Sequence, residues 1–270
     1  MANMSAAKIG SQFNMFVGTP GTRKSTQALS YPTPQYWFSW DQKMNSLLLP
    51  MRKWGINPSD INYDDLKNYD EARKKLELMA SNCPYKSIIV DSITTGANSI
   101  LKQTLDLKRG GTRKSGQAAG KLIANIAVNE IEDYNAEASA LLEMVALLKD
   151  IRTFHNVNVI LIAHLIQAEY KTGPNAPSNI VRTIVTSGKR VAPMIPAYCE
   201  EVYHFFLKKS FDADGPGQYA LLTSSTTNDF ARTQLELPAE IIFNDDPIYS
   251  RYIRPAIDKL NTNTQEPTTK

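Results

Sequence analysis

Three short, almost wholly apolar runs constrain this chain more than anything else in it: FNMFVG (13–18), SIIVDS (87–92) and NVNVILIAH (156–164). A strand with one wet face alternates apolar and polar residues. A strand that is apolar throughout must be covered on both faces, the situation of a parallel sheet with helices above and below. Each run also ends on a residue of a different kind: Gly18, Asp91 and His164.

The stretches between them supply the helices. Residues 24–29 can open one. Leu66, Tyr69, Leu76 and Met79 fall at helical spacing and predict a helix over 64–79, with Pro84 barring its continuation. Residues 93–107 predict another, and 117–152 a long helical region in two pieces around Asp133 to Asn135. YWFSW (36–40) reads as a strand closing at Asp41. Residues 42–62, with Pro50, Gly55 and Pro58, have no steady period and read as loops and short turns. So does 167–198, with room for a short strand.

EVYHFFL (201–207), QYALLTS (218–224) and ARTQLEL (231–237) read as successive antiparallel strands joined by DADGPG and TTND turns. A short helix at 255–260 precedes a polar tail, NTNTQEPTTK. The expected class is α/β: a mostly parallel central sheet, helices on both faces and late antiparallel hairpin strands. No linker divides the chain, so one domain is expected over 1–260 with a frayed tail at 261–270.

With 42% hydrophobic and 21% charged residues among 270, the chain can bury a sizeable core. A net charge of +3 gives no whole-chain argument for a nucleic-acid or membrane partner; local clusters must carry one. Two cysteines, Cys83 and Cys199, exclude a disulfide framework, and neither they nor His155 and His204 have the spacing of a zinc site. The opening MANMSAAKIGSQ lacks an apolar signal core and no run reaches membrane-spanning length, so a cytoplasmic protein is expected, without a membrane partner.

The sequence GTPGTRKS (18–25) directly follows the first apolar run. A phosphate-binding loop reads G-x-x-x-x-G-K-[ST] between a strand and a helix. Its backbone N–H groups wrap the phosphates, its lysine reaches the β/γ oxygens and its hydroxyl holds Mg²⁺. Gly18, Lys24 and Ser25 fit; Gly21 adds a flexible corner and Thr26 a second hydroxyl. Arg23 stands where the motif has glycine, and its side chain must point away from bound phosphates or lie over them. The expected cradle is Gly18, Thr19, Pro20, Gly21, Thr22, Arg23, Lys24, Ser25 and Thr26.

A near-copy, GTRKSGQA (111–118), lacks this context: no strand precedes it, and Lys108 replaces the first glycine. Residues 108–121 carry Lys108, Arg109, Arg113, Lys114 and Lys121 and no acid. That composition suits a basic loop against a phosphate backbone. The alternative is a merely solvated loop. Asp91, ending its apolar run, can accept from a Mg²⁺-bound water opposite Ser25; its other reading is a helix cap.

FVGTPGTRKST, YWFSWD, IIVDSIT, VILIAH and GKRVAPMIPAYCEEVYHF occur in the order of RecA-like recombination ATPases, and the chain resembles that family over residues 13 to 238. It looks most similar to the small phage-encoded, single-domain group associated with single-strand annealing. The resemblance implies a RecA-like P-loop core, ATP with Mg²⁺ as cofactors, single-stranded DNA as partner and self-association into rings or filaments with nucleotide between subunits. If phage-encoded, it would act in the host cytoplasm.

Carried over residue by residue, the resemblance makes Asp41 the group that activates the attacking water, where recombinases usually have Glu. It makes His164 a γ-phosphate sensor leading into a DNA-facing segment, 167–190, whose cations are Lys171, Arg182, Lys189 and Arg190 and whose Tyr170 can stack on a base. It makes Arg232 a charge offered to a neighbouring subunit's γ-phosphate, with Lys208 and Lys209 as alternatives. Arg23 and Asp41 as departures predict a slow ATPase. The competing readings are an assembly protein organised by nucleotide with little hydrolysis, and a small-molecule kinase, against which the absence of a compact lid counts.

Overall fold

The structure, a computed structural model, describes residues 9–109, 122–123, 126–127, 131–170, 179–186, 191–209 and 217–263. In chain order the strands are β1 (Phe13–Gly18), β2 (Gln35–Ser39), β3 (Ile61–Asp65), β4 (Ser87–Asp91), β5 (Leu122–Ile123), β6 (Ile126–Ala127), β7 (Asn158–Tyr170), β8 (Asn179–Ile184), β9 (Glu201–Lys208), β10 (Gln218–Leu222) and β11 (Glu240–Ile242). The helices are α1 (Lys24–Ala28), α2 (Leu48–Trp54), α3 (Tyr69–Ser81), α4 (Ile93–Arg109), α5 (Ile131–His155), α6 (Ile195–Tyr198) and α7 (Arg254–Asn263).

One sheet runs β11-β10-β9-β1-β7-β4-β2-β3, with β8 paired to β7 and β5–β6 forming a separate small hairpin. From β9 to β3 every pairing is parallel; β10, β11 and β8 are antiparallel. The fold is thus mixed α/β with a mostly parallel sheet, as the apolar runs demand. Successive residues of β1 go to opposite cores. Phe13, Met15 and Val17 pack with α3, α4 and α5, whereas Phe16 packs with α1, α2 and α7. Burial on both sides is why β1, β4 and the inner half of β7 tolerate no alternation. Among the described residues no helix is long and apolar enough to cross a membrane.

Several expectations need correction, among them the loop read over 167–198, where β7 runs on to Tyr170, β8 covers Asn179–Ile184 and α6 covers Ile195–Tyr198. Residues 42–62 are not mainly loop: a 3₁₀ turn (Met44–Leu47) leads into α2, and β3 begins at Ile61. Pro50 is the third residue of α2, where a backbone N–H has no helical acceptor, and Gly55 at φ 66° ends the helix. The helix expected over 64–79 is α3, starting at Tyr69, because Asp64 and Asp65 belong to β3. As the sheet's edge, β3 buries only Ile61, and its acids accept from Tyr36 and from Ser39 (2.8 Å), so it shows no apolar pattern.

A further correction concerns α5, which runs unbroken through Asp133 to Asn135. These residues sit in or beside its first turn, where acids are favoured. Upstream, β5 and β6 replace helix. Lastly, ARTQLEL is not a strand. Only Arg232 bridges to Val202; the chain then turns, and the third antiparallel strand is β11. α7 also continues past Leu260, since Asn261 exchanges hydrogen bonds of 2.8 and 3.0 Å with the backbone of Ile9. Residues 264–270 lie outside the described residues.

Candidate nucleotide site

The C-terminal ends of β1, β2 and β4 meet the middle of β7 on one edge, because register aligns Gly18 with His164, Asp91 with Ile162 and Ser39 with Asp91. Beyond β1 the chain turns through exposed Thr19, Pro20 and Gly21 into α1. A Cβ on Gly18 would sit 2.3 Å from the carbonyl oxygen of Phe205, so only glycine fits there. Gly21, at φ +83°, takes the left-handed corner.

Lys24 is 4% exposed. Its ammonium donates to the carbonyls of Gly18 (2.9 Å) and Thr19 (2.8 Å) and approaches Thr22 Oγ1 (3.4 Å). Burial lowers its pKa to about 8 against the opposing pull of Asp91 and Asp41. The amine thus folds onto the loop carbonyls, close to both carboxylates. The residue capping α1, Arg23, gives the first N–H groups of the helix no side-chain acceptor.

Asp91 is 8% exposed, and burial raises its carboxyl to about 6, although a hydrogen bond with Ser25 pulls the other way. The capping alternative for Asp91 falls away: Ser92 is the capping group, its Oγ accepting the Thr95 N–H at 3.2 Å. A hydroxyl and a carboxylate facing each other are hard oxygen donors. They fit Mg²⁺, which takes its remaining ligands from water and phosphate.

Asp41 lies two residues past β2. Burial pushes its carboxyl up, but the combined hydrogen bonds of His164, Thr95 and Ser92 outweigh this and hold it well below the usual carboxylate range. Ser92 Oγ donates to Oδ1 at 3.0 Å, Thr95 Oγ1 donates to the same oxygen, and His164 Nε2 stands 3.5 Å from Oδ2. The His164 backbone N–H donates to Thr94 Oγ1 (3.0 Å), and its buried Nδ1 has no partner among the described residues. Gly18, Lys24, Ser25, Asp41, Asp91 and His164 are therefore brought together.

Arg23 explains why the motif favours glycine at this position: its φ is 66°, left-handed. Of the two dispositions open to it, the side chain takes the one away from the expected cradle. It donates to Asn244 O (2.9 Å) and to Asp245, and its guanidinium lies 3.9 Å over the Tyr219 ring. The left-handed backbone costs a non-glycine residue about 1–2 kcal/mol. An exposed ion pair and an exposed cation–π contact return about 0.5–1 kcal/mol each. These nearly cancel, so Arg23→Gly should change stability by under about 1 kcal/mol. It should keep ATP binding; a chemical melt and a titration with a fluorescent ATP analogue check both.

Beside Thr26 and Gln27 opens a cavity of about 390 Å³ walled by Leu49, Pro50, Lys53, Trp54 and Asp245.

Of the remaining candidates with described side chains, Arg232, Lys208, Lys209 and Arg182 do not join this cluster. Arg232 donates to the carbonyls of Pro196 (3.1 Å) and Cys199. Lys208 pairs with Glu240 at 2.6 Å, and Lys209 is exposed. Arg182, on β8, is paired with Asp229, which also lies 3.1 Å from Nδ1 of buried His204. Lys108 and Arg109 close α4 and Tyr170 closes β7; Arg113, Lys114, Lys121, Lys171, Lys189 and Arg190 lie outside the described residues.

Sequence reasoning missed Ser92, Thr94, Thr95 and Asp245. For the first three a signal existed: DSITT at the start of a helix has the serine of an N-cap, three residues before a second hydroxyl. Asp245, more than two hundred residues from Arg23, gave none.

No family model matches the chain, and no curated protein does. Among solved structures it is similar to a KaiC-like protein from the hyperthermophilic archaeon Pyrococcus horikoshii OT3, at 13% identity and a TM-score of 0.47, covering 88% of this chain and 91% of that one. It is also similar to the RadB recombinase, at 14% identity and a TM-score of 0.46, covering 88% and 90%. Both similarities are loose, and the α/β assignment rests on this chain's own strand order and register.

Proposed function

We propose that this chain binds ATP with Mg²⁺ and hydrolyses it slowly, as a single-stranded DNA-binding protein of recombination or annealing. The observation that carries the nucleotide half is the convergence of Lys24, the Ser25–Asp91 pair and the Asp41–His164 pair around the exposed turn 19–21. Lys24 leaves the Gly18 and Thr19 carbonyls for the β/γ oxygens, and the N–H groups at the start of α1, which the cap side chain does not engage, cradle the phosphates. Ser25 and Asp91 would hold Mg²⁺, which neutralises charge between the phosphates when bound. Asp41 orients the attacking water, and His164 lies between that carboxylate and the strand leading outward. The cavity beside Thr26 suits the nucleoside, with Trp54 and Leu49 as apolar walls.

Slow turnover follows from particular features. Aspartate reaches less far than glutamate. Arg232 stabilises a neighbour's γ-phosphate only after releasing the carbonyls of Pro196 and Cys199. Those engaged groups also support a second reading, a nucleotide-organised ring or filament with little hydrolysis.

The DNA half rests on the basic run 108–121 and on β7 and β8 leaving the same sheet edge as the nucleotide cluster. Phosphate release by the purified protein at saturating Mg-ATP, with and without a single-stranded oligonucleotide, tests the proposal. Stimulation by DNA is the expected result. Nucleotide-dependent assembly with an unstimulated, near-zero rate supports the second reading, and absence of nucleotide binding sinks both.

A further inference from the structure

Past β4 the chain reads Asp91-Ser92-Ile93-Thr94-Thr95, and its hydroxyls have separate tasks. Ser92 Oγ accepts the Thr95 N–H (3.2 Å), capping α4. Thr94 Oγ1 accepts the His164 N–H (3.0 Å). The Thr95 hydroxyl adds nothing to the cap, because its own backbone N–H is the group being capped. It lies 3.2 Å from Ser92 Oγ and, crossing from α4 to the end of β2, donates to Asp41 Oδ1, the oxygen to which Ser92 Oγ also donates at 3.0 Å; with both protons so directed, neither hydroxyl donates to the other.

A carboxylate oxygen has two lone-pair sites. Oδ1 of Asp41 is therefore full, and Oδ2 alone retains capacity, 3.5 Å from His164 Nε2. Two donors on one oxygen also stop the carboxylate from rotating and exchanging its oxygens.

We propose that Thr95 is a positioning residue for hydrolysis: with Ser92 it occupies Asp41 Oδ1 and so leaves Oδ2 as the one oxygen that can orient the attacking water. The role rests on the hydrolytic reading above. It also connects the two halves of the site. Asp91, on the metal side, and Thr95, on the water side, are four residues apart on the same strand-to-helix turn, so a shift of either carboxylate is felt by the other. A water held in a fixed direction reacts faster than one that wanders, and a small misplacement lowers kcat without weakening ground-state binding.

Thr95→Val keeps the side-chain shape and removes the hydroxyl, whereas Thr95→Ser keeps the hydroxyl. With Mg-ATP, Thr95→Val should lower kcat about tenfold or more, the loss expected when one orienting hydrogen bond goes. KM, and the affinity for a fluorescent ATP analogue, should stay within about twofold, because ground-state binding is untouched. Thr95→Ser should restore kcat to near the wild-type value. Wild-type turnover in Thr95→Val, a loss of nucleotide affinity as large as the loss of kcat, or a Thr95→Ser protein as slow as Thr95→Val would each overturn the role. A wild-type protein that binds the analogue but never releases phosphate overturns the hydrolytic reading, and this role with it; the wild-type control alone shows that case.

Discussion

Lys24→Ala is expected to abolish ATP hydrolysis and to weaken nucleotide binding severely. The ammonium is nearly enclosed, 2.8–2.9 Å from two loop carbonyls and close enough to Asp91 and Asp41 for both to bear on its charge. With Lys24 gone, an incoming triphosphate faces two carboxylates and loses its nearest cation. Truncating one member of a buried, charged hydrogen-bonded pair costs about 2–5 kcal/mol, or about thirty- to five-thousand-fold in Kd. The fold should survive, since Thr19 is exposed and water can replace the amine at its carbonyl. Titration of a fluorescent ATP analogue, with a circular-dichroism melt as control, makes the measurement. Lys114→Ala, in the imitation motif, should leave affinity almost unchanged. Unaltered binding by Lys24→Ala, or an equal loss in Lys114→Ala, would mean that the wrong loop has been assigned.

Reversing Arg109, Arg113 and Lys114 together to glutamate should weaken single-stranded DNA binding by orders of magnitude while sparing ATP affinity. Phosphate contacts release counterions, so affinity for single strands falls with salt at a log–log slope of about −0.7 per contact. Losing three contacts should flatten that slope by about 2. Arg182→Glu should do much less, because Asp229 already offsets the Arg182 charge. Fluorescence anisotropy of a labelled oligonucleotide over a salt series, with ATP present, separates these outcomes. Binding untouched by the triple reversal would remove the basic run 108–121 from the proposed DNA site. No binding by the wild type at low salt would favour the assembly reading.

The parts of the fold readable from sequence are those where burial dictates residue type. β1, β4 and the inner half of β7 lie between two cores, and no polar residue fits their middles except where a partner waits, as Tyr31 does for Asn14 (2.9 Å). β3 escaped because an edge strand is held by its backbone and presents acids to solvent and to Tyr36 and Ser39. The outer half of β7 escaped because β8, not burial, extends it. In the site, Gly18, Lys24, Ser25 and Asp91 carry their chemistry in local spacing. Thr95 and Asp245 do not: a threonine one turn into a helix and an acid near the far end of the chain gain meaning only when folding sets them against Asp41 and Arg23.

β7 itself is unusual in length. It is a single ladder from the buried centre of the sheet to Tyr170, and His164 stands near its middle. The six residues beyond His164 extend about 20 Å at roughly 3.3 Å each. Paired with β8 along that whole length, they form a two-stranded arm based at His164, and Arg182 ties it to Asn228 and Asp229, which would move with it. A pivot rotation of about 5° sweeps the tip of such an arm through about 2 Å, several times the displacement at the pivot itself. The geometry is that of a gauge needle: a rotation at His164 too small to disturb the packing there would arrive at the far end of β7 as a step several times larger.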